Sequence, residues 1–209
     1  KDMASLVQYE KLGGVVSLSL RNNQFDYHGV QDLASSPYLK NLTSLNLMSN
    51  AVGDKGLLLL AESPNLSQLE YLNLENAGIT ALGILALSQS PHLSRLKELN
   101  LSGNDLREKG LRILAESGNF KNLVKLRISG VPVGDSGFLA LVHSNILSQL
   151  EELEAMGNTI TRKSLDSMTS ASKLVRLKKL DLRRNKLKEA DLIFLADTPK
   201  FQALEALRF

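Results

Sequence analysis

The chain has 209 residues, 43% hydrophobic and 22% charged, which supplies a core beneath a water-compatible surface. Zero cysteines exclude a disulfide framework and any thiolate metal site, and fit a reducing compartment. A formal charge of +3 falls far short of a nucleic-acid footprint, and no apolar run approaches the length of a membrane span.

Lys1-Asp2-Met3 carries no apolar signal core. Leu6, Val7 and Leu12 match the helix and return positions of a repeat, so residues 1–14 read as the end of a preceding coil. The pattern L-x-x-L-x-L-x-x-N-x-L then begins on Val15, Leu18, Leu20, Asn23 and Phe25. It recurs on Leu42, Leu45, Leu47, Asn50 and Val52, then on Leu69, Leu72, Leu74, Ala77 and Ile79. Leu96, Leu99, Leu101, Asn104 and Leu106 fit it fully. Leu123, Leu126, Ile128, Val131 and Val133 follow, then Leu150, Leu153, Ala155, Asn158 and Ile160, then Leu177, Leu180, Leu182, Asn185 and Leu187. An eighth unit opens at Leu204 and runs through Leu207 to Phe209. Every interval is 27 residues, a regularity that chance does not produce.

Each half of the unit has its own physics. The L-x-L core alternates with period two, so Leu45 and Leu47 face inward while Ser44 and Asn46 face outward from a strand. The ninth-position Asn follows the strand, where its amide satisfies turn backbone; Ala77 and Val131 lack it, which predicts the weakest turns there. The second half reads as helix, with Leu57, Leu60 and Ala61, Leu111, Leu114 and Ala115, and Leu192, Leu195 and Ala196 at i, i+3, i+4. Asp54 and Asp135 are expected N-caps. Gly29, Gly56, Gly83, Gly110 and Gly137 share one helical position, which predicts close approach of neighbouring coils. Ser63-Pro64, Ser90-Pro91 and Thr198-Pro199 end the helices, and Leu66, Leu93 and Phe201 return the chain to the next strand.

The expected fold class is α/β: a right-handed solenoid of 27-residue coils with a parallel sheet on its concave face and helices on its convex face. Strands ~4.8 Å apart opposite helices ~8–10 Å apart rotate each coil by roughly 20–25°, closing an arc of about 150°. Over essentially the whole chain these residues resemble the leucine-rich-repeat family. The long helical half, as in Gly56-Leu57-Leu58-Leu59-Leu60-Ala61, resembles its ribonuclease-inhibitor-like subfamily. The phrase L-A-x-S-P-x-L-x-x-L-x-x-L-x-L at Leu33 to Leu47 is similar to repeats common in bacterial proteins, several of them secreted effectors or regulators. Ribonuclease inhibitor alternates two repeat lengths and is cysteine-rich, so ribonuclease binding is not implied. The whole of 1–209 reads as one domain, expected to belong to a longer protein because no capping repeat is visible.

No catalytic constellation, metal site or cofactor motif emerges. His28, His92 and His143 occupy three different repeat positions and do not converge. Ser170-Ala171-Ser172-Lys173 matches S-x-x-K only as a short chance pattern, and the N-x-S/T triplets at Asn41, Asn65 and Asn100 are generated by the repeat itself. The outward strand columns run Ser17, Ser44, Tyr71, Glu98, Lys125, Glu152, Lys179, Ala206 and Ser19, Asn46, Asn73, Asn100, Arg127, Glu154, Asp181, Arg208. The candidate partner-binding set is Met48, Tyr71, Asn73, Glu75, Lys125, Arg127, Glu152, Glu154, Met156, Lys179, Asp181 and Arg183. Its charges either neutralise one another across strands, as in Glu98–Lys125–Glu152–Lys179, or recognise a partner. Lys173, Arg176, Lys178, Lys179, Arg183, Arg184, Lys186 and Lys188 form a basic cluster, read first as a solvated face.

These features point to a non-enzymatic protein-interaction module without cofactors, binding another protein through its concave face, with no specific nucleic acid and no membrane insertion. The second reading is the recognition arm of a larger enzyme, a ubiquitin ligase or GTPase regulator. The expected location is the cytoplasm, bacterial or host, with secretion left open.

Overall fold

A computed structural model describes residues 5, 7–171, 175–201 and 203–209, with backbone alone at 147 and 200. Leu6, the Lys1-Asp2-Met3 start, and Ser172 and Lys173 lie outside the described residues.

Eight three-residue strands, β1 Ser17–Ser19, β2 Ser44–Asn46, β3 Tyr71–Asn73, β4 Glu98–Asn100, β5 Lys125–Arg127, β6 Glu152–Glu154, β7 Lys179–Asp181 and β8 Ala206–Arg208, lie in sequence order in one parallel sheet. Each central leucine faces its counterpart one coil on: Leu18 opposite Leu45, Leu99 opposite Leu126, Leu180 opposite Leu207. Between the strands run α1 Tyr27–Ser35, α2 Gly53–Glu62, α3 Ala81–Ser88, α4 Arg107–Glu116, α5 Gly134–Val142, α6 Arg162–Ser170 and α7 Glu189–Ala196. The architecture is the α/β leucine-rich-repeat solenoid expected from the periodicity. Helices spaced more widely than strands bend such a stack toward its sheet, so the sheet's outward face is the concave one.

The core lies between sheet and helices. Leu45, Leu72, Leu99, Leu126 and Leu153 on the strands, and Leu57, Leu60, Leu111 and Leu114 on the helices, are excluded from water, as are the return residues Leu66, Leu93 and Phe201. In α7 only Leu195 of the expected trio is buried; Leu192 and Ala196 face solvent, and no further described helix covers their flank.

Polar spines tie the coils together, and two depart from expectation. The Asn50 amide oxygen accepts the N–H groups of Asn23 (3.1 Å) and Phe25 (3.0 Å), while its nitrogen donates to the Leu20 and Leu47 carbonyls. Asn50, Asn104, Asn158 and Asn185 thus each serve the turn of the coil before them. The Ala77 and Val131 turns are furnished by Asn104 and Asn158, and the turns that lose an amide are those of Asn50 and Asn104, one coil earlier.

Asp54 and Asp135 likewise do not cap their own helices. They sit in the first turns of α2 and α5, whose N-cap residues are Val52 and Val133. Asp54 accepts from the Thr80 N–H (2.8 Å), the Thr80 hydroxyl (2.6 Å) and the Gly83 N–H (2.9 Å), capping α3 of the next coil. Asp135 accepts from the Thr161 N–H and hydroxyl and from Ser164 Oγ at the start of α6. Burial works to raise the Asp135 carboxyl, but these hydrogen bonds, Ser164 first, bring it below its ordinary value.

A third spine is built from the serines that precede the helix-ending prolines. Ser36, Ser63 and Ser90 donate to the Val7, Ala34 and Ala61 carbonyls at 2.5–2.6 Å, pinning each helix end to the next coil. The shared helical glycine answers to crowding as expected. A Cβ on Gly137 would lie 3.2 Å from the Glu108 Cα of the preceding helix, and one on Gly110 would lie 3.4 Å from the Ala81 Cα. Each also crowds the residue four positions earlier, Val133 or Leu106.

Candidate functional site

The strand register sets the concave face out as columns of side chains one strand apart. In the second column the oxygens of Asn46, Asn73, Asn100 and Asp181 each accept the backbone N–H two residues on, at 2.9–3.2 Å. Short amides and carboxylates close the turn after a strand in this way. The amide-rich column thus has a structural use. Asn73 and Asp181, both in the candidate set, are each only 6% exposed.

The charged half closes on itself. Lys125 is ion-paired with Glu152 and lies 4.0 Å from Glu154; Lys179 reaches the other side of Glu152 at 2.6 Å; Arg127 holds Glu154 at 3.0 Å. Lys125 first, then Lys179, hold the Glu152 carboxyl below its usual range. Arg183 grips Asp181 at 2.6 Å, with Arg208 at 3.9 Å. Burial alone would raise the Asp181 carboxyl, but the hydrogen bonds from Arg183 bring it below its ordinary value. Between Lys125, Glu154, Lys179 and Arg208 lies a shallow depression of about 180 Å³.

Glu98 does not join this network. Its register neighbour is Lys125, which pairs with Glu152 instead, and Glu98 has no ion pair among the described residues. Glu75 accepts only from the neutral Asn100 amide, at 3.0 Å. Around these two carboxylates stand half-buried Met48 and Tyr71. The sequence pattern places Glu98 in a regular alternation of charges, which conceals that its neighbour Lys125 has other acids to choose between. Met156 stands half-buried beside Arg183, whose own charge is engaged.

The basic cluster disperses onto separate surfaces. Arg176 donates to Gln149 (2.9 Å) and Lys178 pairs with Glu151 (2.7 Å) on the edge ahead of the strands. Arg184, Lys186 and Lys188 are exposed on the opposite turn. His28 bonds Asp26 at 3.0 Å, and His92 and His143 lie in other coils. Among the described residues no three His, Asp or Glu side chains are placed to hold a metal. No described helix is long and apolar enough to cross a membrane.

The Leucine Rich repeat family profile matches residues 38–61 and 92–115, both spanning the strand–helix unit described above. The two matched segments are leucine-rich repeats, and the chain as a whole has the leucine-rich-repeat fold. No curated protein matches the chain. Among solved structures, an internalin from Listeria monocytogenes superposes on the whole of this leucine-rich-repeat chain with a TM-score of 0.66 at 22% identity. The chain spans about half, 51%, of that internalin, and the likeness is one of fold.

Proposed function

We propose that this chain is a non-catalytic module that binds another protein on its concave face, with the contact centred on coils two to four. The observation that carries the reading is the unequal neutralisation of the face. Lys125, Arg127, Glu152, Glu154, Lys179, Asp181 and Arg183 satisfy one another, whereas Glu75 and Glu98 flank Met48 and Tyr71 with no cation paired to them among the described residues. Aromatic and methionine side chains are enriched at interface centres, and uncompensated carboxylates at their edge orient a partner of opposite charge. The closed network toward β7, with Met156, sets shape and orientation more than affinity. Tyr71 is the one aromatic in the strand columns, which leaves no stacking ladder for nucleic-acid bases.

One helix of eight to ten residues per coil supports placing the chain in the ribonuclease-inhibitor-like type, and the Leu33 to Leu47 phrase supports a bacterial regulatory or host-directed protein. We take 1–209 as one domain.

A photo-crosslinking side chain at position 71 tests the site in cells. It is expected to trap a discrete protein, and Glu98→Lys with Met48→Ala is expected to remove that adduct. Trapping of the same protein from position 31 on α1 but not from 48, 71 or 156 contradicts a concave-face site.

A further inference from the structure

A helix apolar on every face normally lies inside a protein. α3 reads Ala-Leu-Gly-Ile-Leu-Ala-Leu-Ser, yet only Gly83, Ile84 and Leu87 are buried. Leu82 is 64% exposed, and with Leu85, Ala86 and Leu58 of α2 it lines an open groove of about 350 Å³ on the convex side. The fold does not demand these leucines. The Leu82 position holds Lys55, Lys109 and Lys163 in other coils, and the Leu85 position, apolar also at Leu58, Leu139 and Ile193, holds Gln31, Arg112 and Asp166 in the rest. A contiguous apolar patch that packing does not require marks an interaction surface.

The charges around it are ordered. Lys55, Leu82 and Lys109 stand at one repeat position near the N-terminal ends of α2, α3 and α4, and Glu62, Gln89 and Glu116 stand at one position by their C-terminal ends. Lys55 lies over the Tyr27 ring at 3.7 Å. Lys109, Glu62 and Glu116 make no ion pair among the described residues, while Arg112 is paired with Glu108.

We infer that this face pairs with a second copy of the chain about a two-fold axis that crosses the three helices at Leu58 and Leu85. Such an axis sets each helix antiparallel to its own copy. It brings the leucines together, places Lys55 opposite Glu62 of the second copy and Lys109 opposite Glu116, and sets Arg112, the α4 residue at the Leu85 position whose charge Glu108 holds, against its own copy. The alternative in-plane axis sets Lys55 against Lys109 and is repulsive. A patch that is its own complement is the signature of an isologous dimer. Contact between two convex surfaces is confined to three helices, so the dimer is weak and concentration-dependent. Both concave faces stay open and point apart, which gives bivalent engagement of a partner. This inference stands independently of what the concave face binds.

Sedimentation equilibrium of the full chain over a wide concentration range tests it. The wild type is expected to rise from 22.9 kDa toward twice that mass. Lys55→Glu with Lys109→Glu is expected to weaken the dimer by about tenfold or more, and adding Glu62→Lys and Glu116→Lys to restore it to within about threefold. Leu82→Glu is expected to abolish it. All five side chains are exposed, and circular dichroism confirms that each variant is folded. A wild type that stays monomeric at every concentration leaves the groove to another protein's helix and overturns the inference. Folded variants in which the fourfold charge swap fails to restore the dimer overturn it equally.

Discussion

Asn104 stands one coil beyond Ala77 and completes its turn: Oδ1 accepts the Ala77 and Ile79 N–H groups at 3.1 and 2.9 Å, and Nδ2 donates to the Leu74 and Leu101 carbonyls. One buried amide thus bonds the backbone of two coils. Asn104→Ala leaves the Ala77 and Ile79 N–H groups without their acceptor and is expected to cost about 2–4 kcal/mol, from two buried donors at ~1–3 kcal/mol each with partial relaxation. Ala77→Asn restores an amide to the Asn50 turn, at a position where other coils accommodate one, and is expected to gain about 0.5–1.5 kcal/mol. Urea unfolding at constant m-value measures both.

Asp135 caps α6 from the coil before it. Asp135→Ala is expected to lower stability by about 0.5–2 kcal/mol, the usual worth of an N-cap, and to raise amide exchange at the start of α6 rather than in α5. Ser136→Ala, next along the chain and exposed, is expected to stay within about 0.5 kcal/mol of wild type. Exchange that rises in α5 instead contradicts inter-coil capping.

The carboxyls of Asp135, Glu152 and Asp181 all lie below their ordinary values in the folded chain. A carboxyl held lower in the folded than in the unfolded state contributes its full stability above the unfolded pKa of about 4 and loses it as pH falls through the folded value. Thermal midpoints are therefore expected to be flat from about pH 7 to 5 and to decline below that. Asp135→Asn with Glu152→Gln is expected to flatten the decline.

Gly53, Arg107 and Gly134 open α2, α4 and α5 with φ of +62°, +52° and +63°. A side chain in that left-handed region costs about 1–2 kcal/mol. The Arg107 contact with Asp105 is exposed and offsets little of this. Arg107→Gly is expected to raise stability by about 1 kcal/mol in thermal unfolding; a loss of that size contradicts the strained start of α4.

The sheet, its register and most of the core were legible because a fixed 27-residue spacing dictates which side chains meet. The direction in which a polar side chain reaches was not. Periodicity marks that Asn50, Asp54 and Ser63 recur, but not that Asn50 and Ser63 serve the preceding coil and Asp54 the following one. On the concave face the sequence fixes the order of charges but not their partners: Lys125 has Glu98 on one side and Glu152 and Glu154 on the other, and geometry makes the choice. Asn73 and Asp181 look like recognition groups in a column of letters, yet their oxygens are engaged by their own backbone.

Everything rests on neighbours being 27 residues apart, and the absence of native cysteine makes that directly measurable. In Lys125→Cys with Glu152→Cys the thiols sit on facing positions of β5 and β6 and are expected to form an intramolecular disulfide under mild oxidation. Lys125→Cys with Glu151→Cys is slipped by one residue, which turns one thiol to a different face, and is expected to remain reduced. Equal crosslinking of the two pairs, or of the slipped pair alone, contradicts the stacked register.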